Sequence, residues 1–344
     1  MNHPSLAARP SIVNKFSFLS RLRGGQAHLQ SAPGRGLKWA ALGMVSLSVS
    51  ASAFAQTSSW INPAGGLWDT PTNWEGGVVA SGAGNTANFG LGTDIAADTV
   101  VNLNSSRTIG NLLFSDIDTA TAGNWVLGNG GVLTNVLTLE GGNAITVDPL
   151  GAGKTATISA DIFAGPGLTG VGLVKQGSGA LVLSGSNILN NQQLRVFGSG
   201  SLTLTGTTTG VTRLFVRDTS SLILEGNASL TTGETNTYLS IGENGTDNVT
   251  ATMRGNSVWN HVGGDFNVSD VGTSQATLTL SDSASLTSNG VIFVSKNTGT
   301  AGTLTVGGNS TVNANGNLVV GQGTGTNGTL VQSGGTITVA GETW

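Results

Sequence analysis

The chain has 344 residues, 54 of them glycine, and no cysteine, so it can form neither a disulfide nor a cysteine-based metal site. Only 9% of the residues are charged and the mean hydropathy is slightly positive at +0.12, which does not fit a disordered chain. Acidic residues number 18 against 14 Lys and Arg, and this balance disfavours nucleic acid as a partner.

The first 55 residues predict a signal peptide with an extended basic region. They contain six basic residues and no acidic one, and an apolar stretch runs from Trp39 to Ala55. The stretch ends in Ala-Phe-Ala, which is typical of a cleavage site and predicts Gln56 as the first mature residue. The apolar run is short for a membrane span of about 20 residues, although an uncleaved anchor is the alternative. We therefore expect export through the inner membrane.

Cleavage after Ala55 would leave 8 basic and 18 acidic side chains, a net charge of −10. One histidine, His261, would remain, so a histidine-based triad or metal site is nearly excluded. We expect His261 on the surface or in a loop. The sequence predicts no cofactor and no bound metal.

Residues 56–116 contain three closely spaced tryptophans, Trp60, Trp68 and Trp74. The open end of a stack of strands exposes its core and an unpaired strand edge, so aromatic side chains are expected to cover it. The alternative is a platform of exposed rings that contacts a sugar ligand. We predict an N-terminal cap together with the first strands, and the solvent exposure of Trp68 and Trp74 distinguishes the two interpretations.

Residues 117–206 contain the phrase GLVKQGSGALVLSGSN, which begins at Gly172. It resembles the autotransporter-associated β-strand repeat of secreted bacterial passenger domains, whose pattern is roughly G-G-L-x-K-x-G-x-G-x-L-x-L-S-G-x-N. The match covers ten positions at the same spacing: Gly172, Leu173, Lys175, Gly177, Gly179, Leu181, Leu183, Ser184, Gly185 and Asn187.

The resemblance extends over most of the region from Trp60 to Gly206. It implies a right-handed β-helical passenger that is displayed on the cell surface or outer membrane, or released as an extracellular protein. Membrane contact would come only through a C-terminal translocator beyond Trp344, so the resemblance predicts a truncated passenger. A stand-alone secreted protein is the alternative. After Asn187 the sequence departs from the family, which usually continues with Thr-Tyr-x-Gly.

Residues 207–344 repeat with a period of about 26 residues, in which three short apolar segments are separated by turns such as Gly226-Asn227 and Gly255-Asn256. This pattern predicts an all-β fold, a right-handed parallel β-helix with three strands per coil and about 4.8 Å between coils. A β-propeller would need about 40–50 residues per blade. Three sets of residues are predicted to stack: Leu224, Met253, Leu280, Val306 and Val331; Leu230, Trp259, Leu286, Val312 and Ile337; Ile241, Val268, Val294 and Val320.

Enzymes that act on polysaccharides from a β-helix need clustered carboxylates on adjacent coils. The best candidate is a stack of Glu243, Asp270, Lys296 and Gln322, each two residues after an apolar position of the third set. Because Lys296 follows the two acids, we interpret the stack as charge compensation on a solvated turn. The sequence therefore predicts no catalytic residue.

Together with the resemblance, these features predict a non-enzymatic exported surface protein that acts in adhesion, aggregation or matrix contact. Its partners would be surface polysaccharide or other cells. Two alternatives remain open, a polysaccharide lyase or hydrolase on the same fold and a carbohydrate-binding module that uses the tryptophans.

Overall fold

The computed structural model describes residues 55–90, 94–168 and 172–344. The predicted signal peptide lies outside the described residues, apart from Ala55. The described residues belong to one compact unit, Ala53–Trp344, which continues without a break through the predicted boundaries at residues 116 and 206. Within them, no helix is long and apolar enough to cross a membrane.

The described residues fold almost entirely as β-strands. Two short 3-10 turns, Pro71–Asn73 and Glu75–Gly77, are their only helical segments. In chain order the strands are β1 (Thr57–Trp60), β2 (Gly66–Leu67), β3 (Gly82–Phe89), β4 (Thr99–Asn102), β5 (Arg107–Phe114), β6 (Trp125–Gly128), β7 (Val136–Leu139), β8 (Ala144–Val147), β9 (Thr155–Ile158), β10 (Asp161–Ala164), β11 (Leu173–Gln176), β12 (Ala180–Leu183), β13 (Asn187–Val196), β14 (Ser201–Leu204), β15 (Thr207–Val216), β16 (Ser221–Leu224), β17 (Ser229–Thr232), β18 (Leu239–Ile241), β19 (Asn248–Met253), β20 (Val258–His261), β21 (Phe266–Val268), β22 (Gln275–Leu280), β23 (Ser285–Ser288), β24 (Ile292–Val294), β25 (Ala301–Val306), β26 (Thr311–Ala314), β27 (Leu318–Val320), β28 (Asn327–Gln332) and β29 (Thr336–Val339).

The strands wind into a parallel β-solenoid of about eleven coils with three faces, as the sequence predicts. The first face is an 11-stranded sheet that runs from β2 to β28. The second face ends with β17, β20, β23, β26 and β29, and the third ends with β18, β21, β24 and β27. Four long strands, β3, β5, β13 and β15, bend from the second face onto the third and join these faces into one 18-stranded sheet.

The coils differ in length along the chain. Leu278 stacks on Leu304, so the regular coils near the end have the length of the sequence period. Leu181, Leu202 and Leu222 also stack in succession, and the closer spacing of these residues in the chain makes these two coils clearly shorter. The short coils contain β13 and β15, in which one continuous strand replaces two strands and the turn between them. The period of the later repeats did not predict these compact coils.

Two of the three predicted stacks are confirmed, and the third needs one correction. Leu224, Met253, Leu280 and Val306 lie over one another on the first face. In the next coil Gln332 lies over Val306, whereas Val331 lies over Thr305. The prediction for Val331 is wrong by one residue, and because strand side chains alternate, the slip moves Val331 to the outer side.

The corner after the first face needs a left-handed backbone conformation, and the predicted Gly-Asn turns occupy it. Gly226 and Gly255 have φ angles of 65° and 71°. In the next coil Asp282 adopts φ 56°, which its short polar side chain tolerates. Its carboxylate accepts a hydrogen bond from the Gly255 amide at 2.8 Å, so the side chain ties the two coils together.

The core is a continuous column of apolar side chains inside the three faces. Each inward residue lies directly over its equivalent in the next coil, so burial continues from one coil to the next. Leu280 and Leu304 are fully buried in this column, as is Trp259 of β20. Outward positions carry mainly Thr, Ser and Asn, which suit an exposed strand surface.

Candidate functional site: the outer surface of the third face

The three N-terminal tryptophans fill the interior of the first coil. Trp60, Trp68 and Trp74 are at most 1% exposed. The ring of Trp74 lies 5.2 Å from each of the other two indoles, in edge-on arrangements that aromatic rings favour. Phe89 extends this aromatic core towards the second coil.

The polar edges of these indoles are also satisfied inside the protein. Trp68 donates to the carbonyl oxygen of Ala80 at 2.8 Å, and Trp74 donates to the carbonyl oxygen of Trp68 at 2.6 Å. A sugar platform requires exposed ring faces. A sugar on the protein surface therefore has no access to these rings. They pack against one another in the core at the N-terminal end of the described coils.

The repeat phrase forms the corner between the third and first faces. Leu173 and Lys175 lie in β11, Leu181 and Leu183 in β12, and Asn187 begins β13. The three leucines point into the core. The remaining matched positions, Gly172, Gly177, Gly179, Ser184 and Gly185, lie in the segments that flank these strands.

Two positions of the phrase, Gly185 and Asn187, show why it needs these residue types. A Cβ atom at Gly185 would lie 2.7 Å from the carbonyl oxygen of Ala160, which is too close for any side chain. Asn187 is 1% exposed, and its amide donates to the Gly185 carbonyl oxygen and the Thr208 hydroxyl, both at 3.2 Å. These contacts connect neighbouring coils, so the phrase specifies local structure.

Lys175 is an inward residue of the core, which the sequence did not predict. It lies between Ile145 and Val196 in the stack of the third face. Its Nζ donates to the Gly177 carbonyl oxygen at 2.8 Å. Burial lowers the pKa of Lys175 to about 8, and the Asp148 carboxylate opposes this shift.

His261 is buried, so the expectation of a surface or loop position is wrong. It is the last residue of β20 and is 1% exposed, because its place in the strand alternation points inward. Nδ1 lies 3.1 Å from the Thr232 hydroxyl, which also accepts from the Trp259 indole, and Nε2 lies 3.1 Å from the Gly264 carbonyl oxygen. These partners suit a neutral imidazole, and burial lowers its pKa.

The predicted stack of charged residues lies in the turns that follow the third-face strands, and each charged residue has its own partners. Glu243 lies 3.7 Å from the Arg217 guanidinium. Lys296 contacts Asp265 at 2.9 Å, not the stacked acid of the preceding coil. The predicted charge compensation is therefore present with partners other than those expected.

Asp270, the second acid of the stack, is nearly buried in a neutral hydrogen-bond network. One carboxylate oxygen accepts from the Ser240 hydroxyl and the Asn267 amide, both at 3.2 Å. The other accepts from the Asn297 amide at 3.0 Å. Among the residues that the structure describes, no group of three or more His, Asp or Glu side chains could hold a metal ion.

Aromatic side chains outside the core gather on the third face. Most aromatic residues of residues 55–344 lie in the core, and six do not. Phe163 of β10 is on the second face. The other five lie on or beside third-face strands, with Trp344 bonded to the backbone of β27: Phe197, Phe215, Tyr238, Phe293 and Trp344.

Three arginines and three of these aromatic rings form one connected group, which we name the cation–aromatic cluster. It spans three successive coils on the outer side of β13, β15 and β18. Its members alternate with inward residues along the strands, which places them all on the outer side. The members are Arg195, Phe197, Arg213, Phe215, Arg217 and Tyr238.

Within the cluster, each guanidinium lies over an aromatic ring. The Cζ of Arg195 is 5.6 Å from the centre of Phe215, and that of Arg217 is 5.1 Å from the centre of Phe197. The Cζ of Arg213 is 4.7 Å from the centre of Tyr238. These distances are in the range of cation–π contacts, so the rings hold the cations in a layer above the sheet.

Glu243 lies at the edge of the cluster, beside Arg217 and Tyr238. The Tyr238 hydroxyl lies 3.4 Å from its carboxylate. Burial and the Glu243 charge raise the pKa of Tyr238, so its hydroxyl remains protonated. Phe215 is only 3% exposed and forms the floor, whereas Phe197 and Tyr238 are partly exposed.

Two arginines of the cluster lack an acidic partner. Among the described residues, four basic side chains form ion pairs, and neither Arg195 nor Arg213 is one of them. Arg195 bonds instead to the neutral amide oxygen of Gln193, at 2.9 and 2.7 Å. The sequence contained a signal for this site, because Arg195 and Phe197, and Arg213, Phe215 and Arg217, recur at every second position.

A shallow groove of about 290 Å³ lies further along the same face. Phe293, Val319 and Trp344 contribute its apolar lining. A larger groove of about 520 Å³ lies elsewhere and is lined by the glycine-rich segment around Lys154. That segment joins β8 to β9 and no helix follows it, so it lacks the helix N-terminus of a phosphate-binding loop.

The fold defines the protein as a parallel β-solenoid with an aromatic and cationic outer surface on one face. Comparison with protein-family models, with curated proteins and with solved structures found no match.

Proposed function

We propose that the protein is an exported structural protein of the autotransporter-passenger type. Its solenoid presents the outer surface of the third face for adhesion, aggregation or matrix contact. The observation that carries this proposal is the concentration of five of the six outer aromatic side chains on one face, together with Arg195, Arg213, Arg217 and Lys296. They extend over several coils, from Phe197 to Phe293, as expected of a surface that binds an extended partner.

The repeat phrase supports the same proposal through the chemistry of its residues. Its ten matched positions form a corner of the solenoid; its polar side chains bond to backbone carbonyls within the phrase, and Asn187 also bonds to the Thr208 hydroxyl of the next coil. Such a phrase serves to extend a scaffold. Many weak contacts along a scaffold can together give firm attachment through avidity.

Binding, not catalysis, is the proposed activity of this surface. The acids Glu243 and Asp270 stand in separate contacts, with Arg217 and with neutral amides and a hydroxyl. A hydrolase or lyase of this fold would need acids grouped around one sugar linkage. We therefore expect no release of reducing ends when the protein is incubated with polysaccharides.

The test is to express the complete reading frame, including the translocator predicted beyond Trp344, in a Gram-negative host and to locate the protein by fractionation and immunoblotting. Cells that produce the protein are then compared with vector-only cells for sedimentation and for attachment to coated surfaces. We expect the protein in the surface or extracellular fraction, together with faster sedimentation or stronger attachment.

Retention of the protein in the cytoplasm would contradict export. Export without any change in sedimentation or attachment would contradict the adhesive role. Release of reducing ends from a polysaccharide would replace the proposal with an enzymatic one.

A further inference from the structure

We propose that the cation–aromatic cluster binds an acidic polysaccharide, whose carboxylates pair with the arginines and whose sugar rings pack against the partly exposed aromatic side chains. This inference rests on the proposed function, because it names the ligand chemistry of one part of the same outer surface.

Charge complementarity indicates an acidic partner. The chain after Ala55 carries 18 acidic and 8 basic side chains. A positively charged surface on this chain therefore needs several of its few basic side chains at one place. Three of those eight basic residues meet in the cluster, against two acids, Glu243, which contacts it, and Asp270, whose charge also acts on Tyr238. The local charge is therefore positive on a strongly acidic protein, which attracts polyanions to this one place.

The arginines retain donors for such a partner. Arg195 and Arg213 contact a neutral amide and an aromatic ring, as described above. Arg217 lies 3.7 Å from Glu243, which is longer than a charge-assisted hydrogen bond, and its side chain is 24% exposed. A guanidinium presents a planar fork that matches a carboxylate, so carboxylates of the ligand can supply the missing acceptors.

The rings indicate a sugar polymer as the carrier of these carboxylates. Phe197 and Tyr238 are partly exposed beside the arginines, and apolar aromatic side chains suit the C–H faces of sugar rings. Successive strands lie about 4.8 Å apart, close to the length of one sugar unit in an extended chain. A polysaccharide laid across the coils would place one charged sugar near each successive strand of the cluster.

The experiment measures binding of the purified, exported full-length protein to three polymers by biolayer interferometry. Polygalacturonate is the acidic polysaccharide, dextran is the neutral polysaccharide and polyglutamate is an acidic peptide. We expect polygalacturonate to bind at least tenfold more tightly than either of the other two. Its affinity should fall as salt rises, because exposed charges are screened.

Variants then locate the site. Arg195→Gln combined with Arg213→Gln should weaken polygalacturonate binding at least tenfold. The matched control is Arg254→Gln, which removes an arginine paired with Glu225 outside the cluster and should change affinity less than twofold. Tyr238→Phe should retain affinity and Tyr238→Ala should lose it, since only the ring face is required.

A second double variant keeps the test informative if the glutamine variant does not fold. Arg195→Lys with Arg213→Lys preserves both charges and removes the bidentate fork, so binding should weaken less than with glutamine. Circular dichroism melting of each variant checks that the solenoid is intact.

Four results would overturn the inference: equal binding by the double glutamine variant and the unmodified protein, equal affinity for dextran, polyglutamate binding as tight as that of polygalacturonate, or self-association through the cluster without polysaccharide binding. Analytical ultracentrifugation detects the last of these results, self-association.

If cells that carry the glutamine variant attach as well as unmodified cells while polygalacturonate binding is absent throughout, the inference fails and the adhesive function stands. If unmodified cells neither attach nor sediment faster, the proposed function fails by itself.

Discussion

The protein uses aromatic side chains in two opposite ways. In the first coil Trp68 is fully buried and its indole nitrogen bonds to a backbone carbonyl. On the third face Tyr238 is partly exposed, lies under an arginine and directs its hydroxyl towards a carboxylate. The difference comes from strand alternation, because each residue points in or out according to its place in the pleat.

Residue type alone does not locate a binding surface in a solenoid. Three tryptophans close in sequence drew attention to the first coil, yet they are core residues. The outer rings lie far apart in the chain, and stacking of the coils brings them together. Four predictions test this division between inner and outer positions.

The largest effect is expected for Leu280→Asp, which places an unpaired charge in the core. Leu280 is fully buried between Met253 and Val306. We expect a loss of more than about 4 kcal/mol in the free energy of unfolding, with the neighbouring coils unfolded, because a buried carboxylate has no water or partner. Urea unfolding followed by circular dichroism measures it.

The matched control is Thr279→Asp, one residue earlier on the same strand and on the outer side. It should change stability by less than about 1 kcal/mol. Equal losses at both positions would show that the division between inner and outer positions on this strand is wrong.

The next effect in size is that of Trp68→Ala. Removing a buried indole should lower the free energy of unfolding by about 3–5 kcal/mol, because it leaves a cavity among the packed rings. Tyr238→Ala, on the outside, should lower it by about 1 kcal/mol or less. A small loss for Trp68→Ala in urea titrations would contradict its role in the core.

Lys175→Met should stabilise the protein at pH 7 by about 1–3 kcal/mol, since it replaces a buried cation by an apolar chain of similar length. The advantage should shrink as pH rises. The folded lysine loses its proton with a pKa of about 8, whereas the unfolded one keeps it until about 10.5. Raising the pH through this window therefore stabilises the unmodified protein.

Urea unfolding of both proteins at pH 7 and pH 9.5 measures the change. Taking the difference between them removes the contribution of other titrating groups. A difference that stays constant between the two pH values would contradict the lowered pKa of Lys175.

The smallest effect concerns His261, which should make the protein less stable below pH 6.5. Burial lowers its pKa from the ordinary value of 6.5, opposed by the nearby Gly264 and Thr232 contacts and by Asp265. The unfolded chain therefore binds a proton that the folded one does not. Stability should fall by up to about 1.4 kcal/mol per pH unit below 6.5, until the folded pKa is reached.

His261→Gln removes this dependence and serves as the comparison. We expect the unmodified protein to lose stability relative to the variant between pH 7.5 and pH 5.5 in urea titrations. The same difference at both pH values would mean that His261 does not change its protonation on unfolding.

Much of the fold could be predicted from local patterns. The repeat period and the Gly-Asn turns correctly indicated three strands per coil and the stacks through Trp259 and Val268. The short coils around β13 and β15 were missed, because one or two residues in the left-handed conformation make each bend, Asn190 and Asn191 in β13 and Gly210 in β15, without the longer turn of the later repeats. The error at Val331 arose because a one-residue change of spacing reverses the side of a strand residue.

The candidate site was predictable only in part. Glu243, Asp270 and Lys296 were correctly placed at stacked positions, but their partners depend on side chains from other coils. The burial of Lys175 and His261 was not foreseen, since polar residues are usually outside. The cation–aromatic cluster was missed because its members come from three coils.

The sequence by itself determined the all-β solenoid, because repeated alternation of apolar and polar residues between turns can bury its apolar side only by stacking coil on coil. Only the tertiary structure decided which charged and aromatic groups meet. Arg195 reaches Phe215 of the following coil because coil length sets the register, and that register is a property of the assembled stack.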